Sequence, residues 1–145
     1  MKKLFTLLAL TISFSINAQM DDNSANNNSA GTNAVAMGNN TTASGNNSTA
    51  MGYFTTASGN KTTAMGADTT ASDYASLVIG QYNYSGSSVT NNATSFSTSN
   101  TAFVIGNGTA YNAKSDAFKV MFNGDTTVSN DLTVNGCLLY TSPSP

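Results

Sequence analysis

Small residues recur in this chain with a period of seven. Gly31, Gly38, Gly45, Gly52, Gly59 and Gly66 fall seven apart, Asp73 takes the next slot and Gly80 closes the series. The runs before them alternate between two forms. One ends Ala36-Met37-Gly38, Ala50-Met51-Gly52 and Ala64-Met65-Gly66, with Val78-Ile79-Gly80 as its bulkier last member. The other ends Ala43-Ser44-Gly45, Ala57-Ser58-Gly59 and, with the substitution, Ala71-Ser72-Asp73. The full period is therefore fourteen, in two unequal halves, and such a repeat confines the chain to architectures made by stacking one short unit.

A seven-residue period also belongs to coiled coils, but this one cannot be helical. Every heptad up to residue 66 carries a Gly, most carry Thr, and Asn and Thr stand where interhelical charges would be needed. Gly alone costs roughly 1 kcal/mol per helical position relative to Ala. The pattern instead predicts an all-β fold, a parallel β-roll or β-solenoid with two short strands in each fourteen-residue coil. Its corners are expected at Gly38, Gly45, Gly52, Gly59, Gly66, Asp73 and Gly80, since Gly takes positive φ freely and Asp tolerates it.

Strand residues alternate between faces. Ala36, Ala43, Ala50, Ala57, Ala64, Ala71 and Val78 thus share one side, and because they recur on every half-coil both walls point them inward. The expected interior is thin and filled by methyl groups. On one wall the opposite parity holds Val35 and Met37, Thr49 and Met51, Thr63 and Met65, Leu77 and Ile79. On the other it holds Thr42 and Ser44, Thr56 and Ser58, Thr70 and Ser72. One outer face is apolar and the other polar. An exposed column of Met, Val, Leu and Ile is an interaction surface; burying each such side chain stabilises by roughly 1.5–3 kcal/mol. Several identical chains packing these faces around a common axis would achieve that.

Composition argues against catalysis. The chain has no His, and its Asp residues (21, 22, 68, 73, 116, 125 and 131) are scattered mostly at turns. Asp68 and Asp73 lie on successive corners, where turn chemistry accounts for both. Gly106-Asn107-Gly108 has neither a following helix signal nor a Lys-Ser/Thr partner, so it is no phosphate loop. With five basic residues and a net charge of -2, the chain lacks a nucleic-acid footprint. The reading is a non-enzyme with no cofactor and no metal.

The alternating Ala-Met-Gly and Ala-Ser-Gly half-repeats resemble the heads of trimeric autotransporter adhesins, the YadA-like head (Hep/Hag) family. The stretch Ala102-Phe103-Val104-Ile105-Gly106-Asn107-Gly108-Thr109-Ala110, with Lys114-Ser115-Asp116-Ala117-Phe118 after it, resembles that family's closing coils. The resemblance spans about 31–122. It implies a left-handed roll, a homotrimer, and attachment to host matrix, cells or surfaces through an unspecified receptor. The sequence departs from the family where Met replaces the usual Ile and where residues 81–100 break the period.

The remaining segments fit a secreted protein. Lys2 and Lys3, an apolar core over 4–16 and Asn17-Ala18-Gln19 read as a signal peptide cleaved after residue 18; its core is too short to span a bilayer. Residues 19–30 read as an Asn/Ser-rich disordered lead-in. The roll is assigned to 31–122. Its insertion at 81–100 carries Tyr82, Tyr84 and Phe96, which are expected to cover one end of the roll. Either both coils of this interval persist with deletions, or one coil carries a long loop. Residues 123–136 resemble the connector that precedes a C-terminal assembly domain in trimeric fibres, so the chain reads as a fragment of a longer surface protein. Residues 137–145, with Cys137, match no preceding pattern and read as a tail of foreign origin. Alternatives to the adhesin are an ice-binding solenoid, using the ladder Thr42/Thr56/Thr70 with Ser44/Ser58/Ser72, and a phage-type tail-fibre fragment.

Overall fold

The computed structural model describes residues 26–133. The expected signal peptide, the start of the lead-in, the end of the connector and the tail lie outside the described residues. All regular structure described is β. Strands β1 (Val35–Asn39), β3 (Thr49–Tyr53), β5 (Thr63–Ala67) and β7 (Leu77–Gln81) stack in parallel. Each residue lies opposite the one fourteen ahead: Ala36 on Ala50, Met37 on Met51, Gly38 on Gly52. The two-residue strands β2 (Thr42–Ala43), β4 (Thr56–Ala57) and β6 (Thr70–Ala71) form the second wall in the same register. The result is a parallel β-solenoid of three fourteen-residue coils.

The coils begin earlier than position 31. The Asn28 amide donates to Thr41 O at 2.9 Å and the Ala43 amide to Asn28 O at 2.7 Å, so residues at the end of the expected lead-in already form a rung on β2.

At the other end the period breaks in a specific way. Strand β8 (Thr101–Asn107) lies directly on β7, Ile79 opposite Ile105 and Gly80 opposite Gly106. The interval is therefore one coil with a long loop. Strands β9 (Asp116–Met121) and β10 (Thr126–Val128) then run antiparallel, closing a seven-stranded sheet of order β1-β3-β5-β7-β8-β9-β10.

The interior is narrow. Ala36, Ala43, Ala50, Ala57, Ala64, Ala71, Val78 and Val104 are all fully buried. A second column accompanies them: Thr41, Ser48, Thr55, Thr62, Thr69 and Ser76 recur every seven residues and are equally buried. They lie two residues before the Ala column and so share its parity. Some of their hydroxyls close the preceding turn, as Thr62 does by donating to Gly59 O at 2.7 Å and Ser76 to Asp73 O at 2.8 Å. Those of Ser48, Thr55 and Thr69 have no partner among the described residues.

Gly45 and Asp73 open corner turns, their carbonyls accepting from the amides of Ser48 at 3.3 Å and Ser76 at 3.2 Å, while the left-handed residue falls two positions beyond the small-residue series. Positive φ recurs at Asn33, Asn40, Asn47, Phe54, Lys61, Asp68, Ala75 and Tyr82, again every seven residues. The glycines answer a different demand. Gly45 has no positive φ, yet a Cβ there would stand 1.9 Å from the carbonyl oxygen of Gly59 in the next coil. Gly38 lies inside β1 at φ 128, and a Cβ there would stand 1.9 Å from Gly52 O. Close stacking of backbone on backbone, with the strand distortion it brings at Gly38, Gly52, Gly66 and Gly80, is what excludes a side chain.

Candidate functional site

The sheet of seven strands turns an apolar face away from the Ala interior. Val35, Met37, Met51 and Ile79 are half-buried on it, while Met65 and Leu77 are 40% and 39% exposed. Registry extends this face beyond the repeats. Phe103 and Ile105 lie opposite Leu77 and Ile79, Val120 and Phe118 lie opposite Phe103 and Ile105, and Val128 lies opposite Phe118. Directly paired residues share a face, and the Phe103 and Phe118 rings meet edge to face at 6.0 Å. Sequence reasoning stopped this column at Ile79. The alternation Phe118, Val120 in β9 carried the signal for its continuation, but only the antiparallel pairing with β8 joins it to the column.

The opposite wall carries Thr42, Thr56 and Thr70 in register, with the Ser58 hydroxyl donating to Ser72 Oγ at 3.0 Å. Its last rung is covered, for Ser72 is buried and its amide donates to Gly86 O at 2.9 Å. That leaves a short hydroxyl ladder.

The long loop is fastened by carboxylates. Asp73 is fully buried; its Oδ1 accepts from the Thr90 amide at 2.6 Å and its Oδ2 from the Thr101 amide at 2.7 Å. Asp replaces Gly at this slot because the next segment detours here and its amides need an acceptor, and the residue has no positive φ. Asp116 repeats the device at the loop's start, accepting from the amides of Tyr84 and Ser85, each at 2.8 Å. Asn83 substitutes for a strand: its side chain accepts from the Thr70 amide at 2.8 Å and donates to Thr70 O at 2.9 Å. Tyr84 and Phe96 do not cap the roll as expected, being 71% and 60% exposed; the Phe96 and Phe122 rings meet edge to face at 5.2 Å. Asn83 and Asn100 in the same segment are fully buried.

One lateral corner gathers aromatic side chains. Tyr53 and Phe54 are exposed and meet edge to face at 4.6 Å. The Asp68 amide donates to Tyr53 O at 2.8 Å and the Tyr82 amide to Ala67 O at 3.2 Å, stacking the corners. The Asp68 carboxylate, by its charge and by accepting from the phenol, raises the pKa of Tyr82 above its ordinary 10.0. On the opposite corner Lys61 Nζ donates to the Tyr74 hydroxyl at 2.8 Å and lies 5.2 Å from that ring's centroid. Among the described residues no His, Cys, Asp and Glu cluster could hold a metal ion, and no helix is long and apolar enough to cross a membrane.

Comparison with known proteins bears on the repeats. The family model for the YadA head domain repeat matches twice, over residues 29–55 and 57–83, ending where the fourteen-residue period ends. No curated protein and no solved structure matches the chain.

Proposed function

We propose that this YadA-like head segment belongs to a surface-exposed trimeric adhesin, in which three copies pack their apolar sheet faces together and hold the corners and the long loop outward for attachment. The observation that carries the reading is the continuous, half-exposed apolar face running from Met37 through Ile79 and Ile105 to Phe118. A roll whose interior is little more than methyl groups has few large side chains of its own to bury, so a covered outer face adds what the interior lacks. Self-association is therefore part of the function: it stiffens a thin rod and leaves polar and aromatic edges as the presented surface. Cell surface, outer membrane or extracellular space is the corresponding location, with matrix, host cells or abiotic surfaces as the partner.

Beads coated with the full chain test the attachment. They are expected to adhere to matrix proteins or cultured cells more than beads carrying a heat-denatured sample. Equal adhesion of the two would remove the adhesin reading.

A further inference from the structure

Four successive rungs of one corner carry Asn39-Asn40, Tyr53-Phe54, Ala67-Asp68 and Gln81-Tyr82. This column holds three aromatic rings and one carboxylate, and no Lys or Arg. Phe54 and Tyr82 occupy the left-handed corner conformation at φ 53 and 42. Asn40, one coil before Phe54, takes the same conformation at φ 54 with the residue type that suits it. Bulky side chains retained in a disfavoured backbone region, and left half in water, point to a use outside the fold.

The opposite corner shows what such a ring accepts. There Lys61 places its ammonium over Tyr74 and hydrogen-bonds the phenol, so the chain supplies its own cation. At the Tyr53 corner none of the four rungs supplies one, although Asp68 adds the negative charge that a cation would neutralise. Lys114, next to the Ser115 whose amide donates to Tyr82 O, lies over the Tyr111 ring instead.

We infer that the Tyr53, Phe54, Asp68 and Tyr82 corner docks a basic side chain, Arg above all, of a partner protein. A guanidinium stacks on an aromatic face while presenting its N–H fork to a carboxylate, matching the two chemistries set side by side here. This inference rests on the attachment reading and names the chemistry of the partner.

The test uses the full chain and a fluorescent Arg-Gly-Arg-Gly-Arg peptide, with Gln replacing Arg in the control, read by anisotropy. The parent is expected to bind the Arg peptide about tenfold more tightly than the Gln peptide. Phe54→Asn and Asp68→Asn should each erase most of that difference. Phe54→Asn should melt no lower than the parent, because Asn suits the corner better, so its lost binding cannot be attributed to unfolding. Equal affinity for both peptides, or undiminished binding by Phe54→Asn, overturns the inference. Beads of the parent chain that adhere to cells while the chain ignores the Arg peptide sink this inference alone; failure in both assays sinks the attachment reading too.

Discussion

Replacing Thr55 by Val should stabilise the roll, which is unusual for a substitution in a close-packed interior. Thr55 is fully buried and its hydroxyl has no hydrogen-bond partner among the described residues. A buried hydroxyl left unmade costs about 1–3 kcal/mol, and Val has nearly the same shape with equal liking for strands. Removing the hydroxyl should recover about 1 kcal/mol or more, worth about 4–8 °C in melting temperature per kcal/mol for a domain of 60–100 residues. Thr69 is in the same condition one coil later. Thr62, in the intervening half-coil, is the internal control: its hydroxyl donates to Gly59 O at 2.7 Å, and Thr62→Val strands that carbonyl. The pair should therefore move in opposite directions, Thr55→Val up and Thr62→Val down by about 1–3 kcal/mol. Thermal unfolding at one fixed protein concentration reads both, since association shifts the midpoint. Equal destabilisation by the two variants would refute the reasoning.

Two further perturbations probe the stacking and the loop. Gly52→Ala puts a Cβ 2.1 Å from Gly66 O at φ 127, so two coils must separate; Gly124→Ala, at φ 94 with nothing within 4 Å, bears only backbone strain. The first should cost well beyond the roughly 1–3 kcal/mol of such strain and the second should stay within it, as measured by urea unfolding. Asp73→Ala leaves the Thr90 and Thr101 amides without their acceptor, each worth about 1–3 kcal/mol. Hydrogen exchange at those amides should accelerate while that at Ala50 and Ala64 holds; uniform acceleration would show that Asp73 supports the whole roll.

Much of the architecture was legible because a stacked coil forces like onto like. The fourteen-residue register follows from the repeat, and period-two alternation puts Ala36, Ala43 and Ala50 inside. Which residue of each corner is left-handed was not legible. Gly45 does open the turn 45–48, but its missing side chain serves contact with Gly59 O, and the left-handed conformation falls on Asn47. The buried Thr and Ser column is hidden in the sequence because hydroxyl residues read as outward-facing, although Thr55 has the parity of Ala57. Asp73 does open a turn, its carbonyl accepting from Ser76, but nothing local reveals that its carboxylate serves residues 17 and 28 positions away. The antiparallel return of β9 was equally hidden: its alternation says strand, and only pairing with β8 sets its direction.

In the proposed assembly, copies of this chain cover the column of Met37, Met51, Met65 and Ile79. Its most direct measurement is the light-scattering mass of the full chain in solution beside Met65→Glu, which puts a charge on a side chain already 40% exposed in one copy. Three chain masses are expected for the parent and one for the variant, with both keeping the same β circular-dichroism spectrum. A parent that stays at one chain mass with that spectrum intact would contradict the assembly.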